Sequence, residues 1–290
     1  MARPSGPDFL CIGMQKAGTD WLFDQLQFHP DFWIPPVKEF HYFDRAITPK
    51  VGRATKLLNL SPERLAQKLS VRRAWDERDY AFLREASELY GLDFDRYAAL
   101  FRYKGDLISG EITPGYSALG EEMIATINGG LPGVKVILLV RDPVARAWSQ
   151  ISMAHRNDNF DASVLESRSA FARFLKTSAL VGDRSFPTQI AERWMRFAPH
   201  LQLRCFLFDR IEKEPEQARA DILQFLGADP EKKSGEIPAD QNRKSKLRKL
   251  PMTSDILDVL VDHFREELAA CAAMFGGEAR DWPARYGVPI

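Results

Sequence analysis

The sequence has few cysteines, no long apolar run and no excess charge of either sign, and each shortage removes a class of protein. Its three cysteines, Cys11, Cys205 and Cys271, are odd in number, far apart and set among apolar neighbours. That pattern argues against a disulfide framework or a zinc site and fits a reducing compartment. No hydrophobic stretch approaches the roughly 20 residues of a membrane-spanning helix, and the opening Met1-Ala2-Arg3-Pro4 lacks a signal-peptide core. A cytoplasmic location is therefore expected. Lys plus Arg number 40 and Asp plus Glu number 40, so nothing draws the whole chain toward nucleic acid or an acidic membrane, and any anion site must be local. Internal repeats and low-complexity tracts are also missing.

What remains is an ordinary globular composition: 290 residues, 45% hydrophobic and 28% charged, enough to bury a full core. We expect a single domain over residues 1–290, with a helical insertion at about 45–103.

The informative stretch is residues 9–25, FLCIGMQKAGTDWLFDQ. The apolar run Phe9-Leu10-Cys11-Ile12 gives way to Gly13, Lys16, Gly18 and Thr19, and then to an amphipathic segment with Trp21, Leu22 and Leu26. This is the pattern of a strand, a glycine-bearing turn and a helix. Such a turn aims backbone N–H groups and the positive end of a helix dipole at one point, where a phosphate can be held. A Walker A loop places its lysine directly after the last glycine; here Lys16 precedes Gly18, giving GxxKxGT, which suits a shorter phosphate chain than a triphosphate needs. A plain strand-to-helix connection with a solvated lysine has the same local pattern, so the rest of the chain must decide.

Beyond the first helix, the prolines and aromatics of residues 29–36 end it and begin an extended segment. Residues 37–44, VKEFHYFD, alternate apolar and polar, so an extended backbone would put Glu39 and His41 on one side, near the turn. Alternatively, Glu39 pairs with Lys38 or an arginine. Residues 45–103 are rich in charge and helix-like, with a plausible cap at Ser61, and the aromatics Trp75, Tyr80, Phe82, Tyr90, Phe94 and Tyr97 are expected to serve local packing.

Residues 106–111 are expected to form a short strand running into the turn of Ile112-Thr113-Pro114-Gly115-Tyr116. The continuous β-branched and leucine run at 133–140 has the character of a buried parallel strand. It ends in Arg141-Asp142-Pro143, and the following helix carries Arg146, Trp148, Ser149 and His155. A Walker B strand would end in an aspartate available to magnesium; a leading Arg141 points to a second anion contact, which Ser149 could share. A salt bridge from Arg141 to Asp142 or Glu111 is the competing possibility. Helices are expected at 186–198, 215–227 and about 253–275, a strand at 201–208, and a basic run, DQNRKSKLRK, at 240–249. Strands alternating with helices imply an α/β fold, a P-loop-like parallel sheet flanked by helices on both faces. Lys16 and Arg141 would then meet at one rim.

In order and spacing these motifs resemble the sulfotransferases that use 3′-phosphoadenosine 5′-phosphosulfate (PAPS). Residues 13–19 resemble the family's 5′-phosphosulfate loop, and residues 136–143 through Ser149 resemble its 3′-phosphate strand and helix. His29-Pro30, the Lys38-Glu39-Phe40-His41-Tyr42-Phe43 segment and Glu111-Ile112-Thr113-Pro114 are similar to the bacterial and glycan-modifying branch. The likeness covers nearly the whole chain apart from the insertion. Ile112 departs from several eukaryotic members, which have a lysine there, and agrees better with bacterial ones.

The resemblance implies donor binding by Gln15, Lys16, Ala17, Gly18, Thr19, Asp20 and Trp21 on the 5′ side. On the 3′ side it implies Arg141 and Ser149, with Arg243 and Lys244 of the basic run in support. Lys16 would also offset charge on the bridging oxygen as the sulfuryl group departs. Glu39 would be the general base, with His41 orienting it or the substrate. Lysine and arginine would supply the charge that magnesium supplies in a kinase, so no metal is implied. The acceptor would be a hydroxyl of a saccharide, phenol, lipid or natural product; near-neutral charge favours a short or uncharged one, and no nucleic-acid partner or membrane span is expected. The competing classes are a P-loop nucleotide kinase or phosphotransferase and a nucleotide-sensing module without turnover.

Overall fold

The computed structural model describes residues 6–45, 73–89, 91–198, 202–232, 237–242 and 248–289. Arg243, Lys244, Ser61 and Tyr90 lie outside the described residues. In chain order the main elements are β1 (Phe9–Gly13), α1 (Thr19–Gln27), α2 (Tyr42–Arg45), α3 (Glu77–Ser87), α4 (Phe94–Ala99), β2 (Gly110–Ile112), α5 (Glu121–Gly130) and β3 (Lys135–Val140). They continue with α6 (Pro143–Arg156), α7 (Arg168–Thr177), α8 (Pro187–Phe197), β4 (Gln202–Leu207), α9 (Phe208–Lys213), α10 (Pro215–Leu226), α11 (Ser254–Phe275) and α12 (Trp282–Arg285).

The described strands form one parallel sheet in the order β2-β1-β3-β4. All of β1 and all of β3 but Lys135 are buried, which is why the rest of these strands is apolar: both faces are covered by helices. Leu10 pairs with Glu111 on one side and Val136 on the other. After β1 the chain crosses to β2 on one flank and then returns to β3 on the other. The connections therefore diverge at the carboxyl ends of β1 and β3, leaving a crevice there.

Two expected strands differ from the structure. Only Gly110–Ile112 pairs as β2; before it, Leu107 N–H turns back to the Lys104 carbonyl and Ile108 bridges Phe32. The segment expected to be extended at 37–44 is bent instead, with Glu39 at φ 59° and His41 at φ 61°, and it runs into α2. The reason is Phe40, whose ring lies 6.0 Å from Phe82 and 6.4 Å from Tyr97. That partly buried ring packs against the core, and the backbone bends on either side of it. The other boundaries differ from expectation by a residue or two, and Gly227 at φ 87° caps α10.

The described part of residues 73–103 is joined to the sheet by a buried carboxylate. Glu111 of β2 accepts hydrogen bonds from Tyr97 Oη (2.6 Å), Tyr116 Oη (2.6 Å) and Thr113 Oγ1 (2.5 Å). Burial pushes its carboxyl up from the usual range, against the pull of these hydroxyls. Tyr97 in turn stacks on Tyr42 at 4.6 Å, so α4, α2 and β2 share one joint. Phe82, Phe94 and Tyr97 pack as the sequence suggested, in the main apolar cluster or against it. No described helix is long and apolar enough to cross a membrane. Glu111→Ala leaves three buried hydroxyls without their acceptor and is expected to lower unfolding free energy by about 3 kcal/mol; an unchanged urea midpoint would refute this account of the joint.

Candidate active site

The turn after β1 is shaped by backbone that a side chain would obstruct. Gly13 has φ 147°, and a Cβ there would lie 3.0 Å from Ser117 Cβ; Gly18 has φ 97°, and its Cβ would lie 3.0 Å from the Phe208 ring. Gly18 is the residue before α1 and supplies no side-chain cap, so the first amides of the helix are left to a ligand or solvent. Met14 N–H donates to the Leu139 carbonyl at 2.8 Å, tying the turn to β3. Lys16 reaches across the crevice to Met153 Sδ of α6 at 3.5 Å. Asp20, in the first turn of α1, is paired with Lys38 at 2.5 Å. Trp21 Nε1 donates to the Ala239 carbonyl (2.6 Å) and Gln25 Nε2 to that of Pro238 (3.0 Å), which docks residues 237–242 over α1.

The opposite wall is the end of β3 and the start of α6. Arg141 pairs with neither Asp142 nor Glu111: its Nη1 donates to the Lys16 carbonyl at 2.8 Å, and its guanidinium lies 4.5 Å over the Phe208 ring. Burial holds Arg141 below its ordinary pKa. Asp142 has both oxygens engaged, Oδ1 capping Val144 and Ala145 at the start of α6, and Oδ2 accepting from Tyr286 Oη (2.6 Å) and Arg285 (3.2 Å). Arg285 also reaches Asp209 Oδ1 at 2.6 Å, so α12 holds the exits of β3 and β4 together. Ser149, two turns into α6, faces the crevice.

Glu39 stands on the third side. Its Oε2 is 3.5 Å from His41 Nε2 and its Oε1 3.8 Å from Lys38 Nζ, while His41 Nδ1 lies 2.8 Å from Asp44 Oδ2. The hydrogen bond from His41 keeps the Glu39 carboxyl below the usual carboxylate range, and burial opposes it. Glu39 is thus ionised at neutral pH and able to accept a proton.

These walls enclose a crevice of about 290 Å³. Gln15, Lys16, Gly18 and Thr19 line it from the turn, with Asp20 and Trp21 beside them. Glu39, Arg141 and Ser149, also expected from the sequence, line it too. Ala17 is fully buried under the turn, and His41 stands behind Glu39. His29 is also buried and structural, its Nε2 3.1 Å from the Asp229 carbonyl and its Nδ1 accepting from Asp31 N–H. Sequence reasoning missed Phe208, assigned there to a strand, and did not single out Lys249 at the end of the basic run. Lys249 lines the crevice, and burial, followed by the charge of Arg141, holds its ammonium below the ordinary value. Among the described residues no cluster of three metal-binding side chains occurs.

The crevice thus lies at the switch point of a parallel sheet, edged by a GxxKxGT turn and an arginine-ended strand. The chain belongs to the sulfotransferase family, whose profile, described as "Sulfotransferase family", matches residues 7–232. Human carbohydrate sulfotransferase 15 is 23% identical over 316 aligned positions, covering 95% of this chain and 54% of that protein; the chain spans about half the length of that curated relative. A sulfotransferase from Alicyclobacillus acidocaldarius superposes with a TM-score of 0.63 at 20% identity, covering 97% of this chain and 99% of that one. Sulfotransferase STF9 from Mycobacterium avium gives 0.50 at 13% identity, covering 95% and 78%. These two likenesses establish a shared fold.

Gly18→Ala would force a methyl against Phe208 at a backbone angle that alanine avoids. It is expected to cost about 1–3 kcal/mol in thermal or urea unfolding and to weaken nucleotide binding; full retention of both would refute the role given to this turn. His41→Ala removes the bond that holds the Glu39 carboxyl down. If Glu39 is the base, the acid limb of the pH–kcat/KM profile should move to higher pH, and an unmoved limb would exclude His41 as its partner.

Proposed function

We propose that this chain transfers a sulfuryl group from PAPS to an acceptor hydroxyl. The observation that carries the reading is that Lys16, Glu39, Arg141 and Ser149, drawn from separate parts of the sequence, line one crevice. The cations around it suit a polyanionic nucleotide. Lys16, Gly18 and Thr19 would hold the 5′-phosphate, and Arg141 and Ser149 the 3′-phosphate, with Lys249 near Arg141 adding a further positive charge. PAPS supplies the activated sulfuryl group; the protein positions it and stabilises the charge that develops.

Glu39 takes the proton of the acceptor hydroxyl as its oxygen attacks sulfur. Lys16 offsets the charge on the departing phosphate oxygen. His41, set between Glu39 and Asp44, orients the base and holds it ionised. Asp142 is engaged as a helix cap and ion-pair partner, which supports this reading over a kinase with a metal-organising aspartate. A carbohydrate acceptor is supported by the name of the human relative, and a short saccharide or other uncharged alcohol by the balanced charge of the chain. The free cysteines suit a reducing cytoplasm; burial pushes the Cys11 thiol up to about 12.

Calorimetry with 3′-phosphoadenosine 5′-phosphate (PAP), AMP and ATP, in chelator, tests the donor. PAP should bind much more tightly than AMP, and Arg141→Ala should weaken PAP by about 100-fold. Preference for ATP with magnesium would make the protein a phosphotransferase. Glu39→Gln should reduce turnover by about 10²-fold or more with PAP affinity unchanged; full turnover would remove Glu39 as the base.

A further inference from the structure

Three arginines converge on two residues of the phosphate turn, and their hydrogen-bond partners there are neutral oxygens. Arg141 Nη1 donates to the Lys16 carbonyl at 2.8 Å, Arg146 Nη1 to the Gln15 carbonyl at 3.5 Å, and Arg184 Nη1 to Gln15 Oε1 at 3.3 Å. Arg146 sits on α6 with 0% exposure. Its Nη2 donates to Ser185 Oγ at 2.6 Å and to the Leu180 carbonyl at 3.3 Å, and Ser185 Oγ donates to the Val181 carbonyl. Arg146 therefore fastens the loop at residues 178–185 against the turn, and that loop delivers Arg184 to the Gln15 side chain.

The contact decides which end of the Gln15 carboxamide faces the crevice. A carboxamide has one accepting oxygen and one donating NH2 group. Arg184 has no acceptor to offer, so it selects the oxygen and leaves the NH2 to point elsewhere. Gln15 lines the same crevice as Lys16 and Glu39. An NH2 group there can donate to an anionic ligand, whereas the flipped amide would aim a lone pair at it.

We propose that Arg184 is a positioning residue: it holds the Gln15 carboxamide by its oxygen so that the amide NH2 donates to the oxygens of the group being transferred. The chemical part rests on the sulfuryl-transfer reading; the Arg184–Gln15 contact does not. Lys16 balances charge on the leaving phosphate, and Gln15 serves the three oxygens on sulfur, whose geometry changes as the bond to phosphate breaks and the bond to the acceptor oxygen forms. A donor fixed in advance needs no reorganisation at that moment. A lysine at position 184 can still donate to the same oxygen; an alanine cannot.

The test uses the full-length protein, its Arg184→Ala, Arg184→Lys and Gln15→Ala variants and the Gln15→Ala/Arg184→Ala double variant. The readouts are PAP affinity by calorimetry, release of inorganic sulfate from PAPS with water as the acceptor, and the side-chain NH2 signals of Gln15 in 15N-labelled protein, identified by their loss in Gln15→Ala. Arg184→Ala should shift the Gln15 NH2 signals and slow sulfate release by about 10-fold with PAP affinity within about twofold. Arg184→Lys should restore most of the rate, and the double variant should be no slower than Gln15→Ala alone. Unmoved NH2 signals in Arg184→Ala, or single-variant effects that multiply in the double variant, would overturn the proposal in an active enzyme. A wild-type protein that neither binds PAP nor releases sulfate would overturn the sulfuryl-transfer reading, while the NH2 signals would still judge the contact.

Discussion

The parallel pairing of β1 with β3 is the constraint on which the rest depends. Leu10 opposite Val136 and Cys11 opposite Ile137 set the register, and the register sets where each strand ends. The turn leaving β1 and the arginine leaving β3 thereby emerge side by side, and the Met14–Leu139 and Arg141–Lys16 hydrogen bonds close the gap between them. Neither motif could form an anion site alone. The turn offers amides and one lysine, the strand end one arginine and a helix, and only the sheet brings the two within reach of one ligand. Such a sheet must be apolar on both faces to be buried, so the residues free to carry chemistry are those at and beyond the strand ends.

A chain with equal numbers of acidic and basic residues concentrates positive charge by choosing its partners. Acidic groups near the crevice are largely committed elsewhere: Asp142 to Arg285, Tyr286 and the cap of α6, Asp20 to Lys38, and Glu111 to three hydroxyls. The arginines nearest the turn bond to neutral oxygens, which satisfies their geometry without cancelling their charge. Burial lowers the pKa of Arg141, and the charge of Glu212, followed by that of Asp142 and Asp209, opposes it. Lys16, Arg141 and Lys249 are thereby gathered on one crevice beside Asp20, Glu39 and Glu212, a grouping that the balance of the whole chain conceals.

Most of the fold was legible because strong periodic signals coincide with buried elements. The runs at 9–12 and 136–140 are apolar without interruption because helices flank the sheet, and Gly227 and Thr253 mark helix ends by capping geometry. Of the crevice residues, Lys16, Gly18, Thr19, Glu39, Arg141 and Ser149 stand out in the residue pattern itself, whereas Gln15, Asp20 and Trp21 come only with the family resemblance. What could not be seen was determined by tertiary packing. Alternation at 37–44 imitates a strand, yet Phe40 bends the chain. Arg146 and Arg184 give no local signal, since a buried arginine bonded to carbonyl oxygens looks in sequence like any helix or loop arginine. Lys249 and Phe208 are recognisable only once β4 and the end of α6 are placed beside the turn.

The bend at Glu39 shows how α3 and α4 bear on the crevice. Left-handed backbone at Glu39 and His41 costs of order 1–3 kcal/mol at each residue and persists only if its surroundings impose it. They do so from two directions. Glu39 N–H donates to the Ile112 carbonyl at 3.1 Å, anchoring the bend to β2, and the Phe40 ring lies against Phe82 of α3 and Tyr97 of α4. Tyr97 also donates to Glu111, the residue preceding Ile112 in the same strand. Helices α3 and α4 and the sheet therefore grip one short segment through a single aromatic residue on one side and one carboxylate on the other. The position of Glu39 is thus a property of the core rather than of a loop.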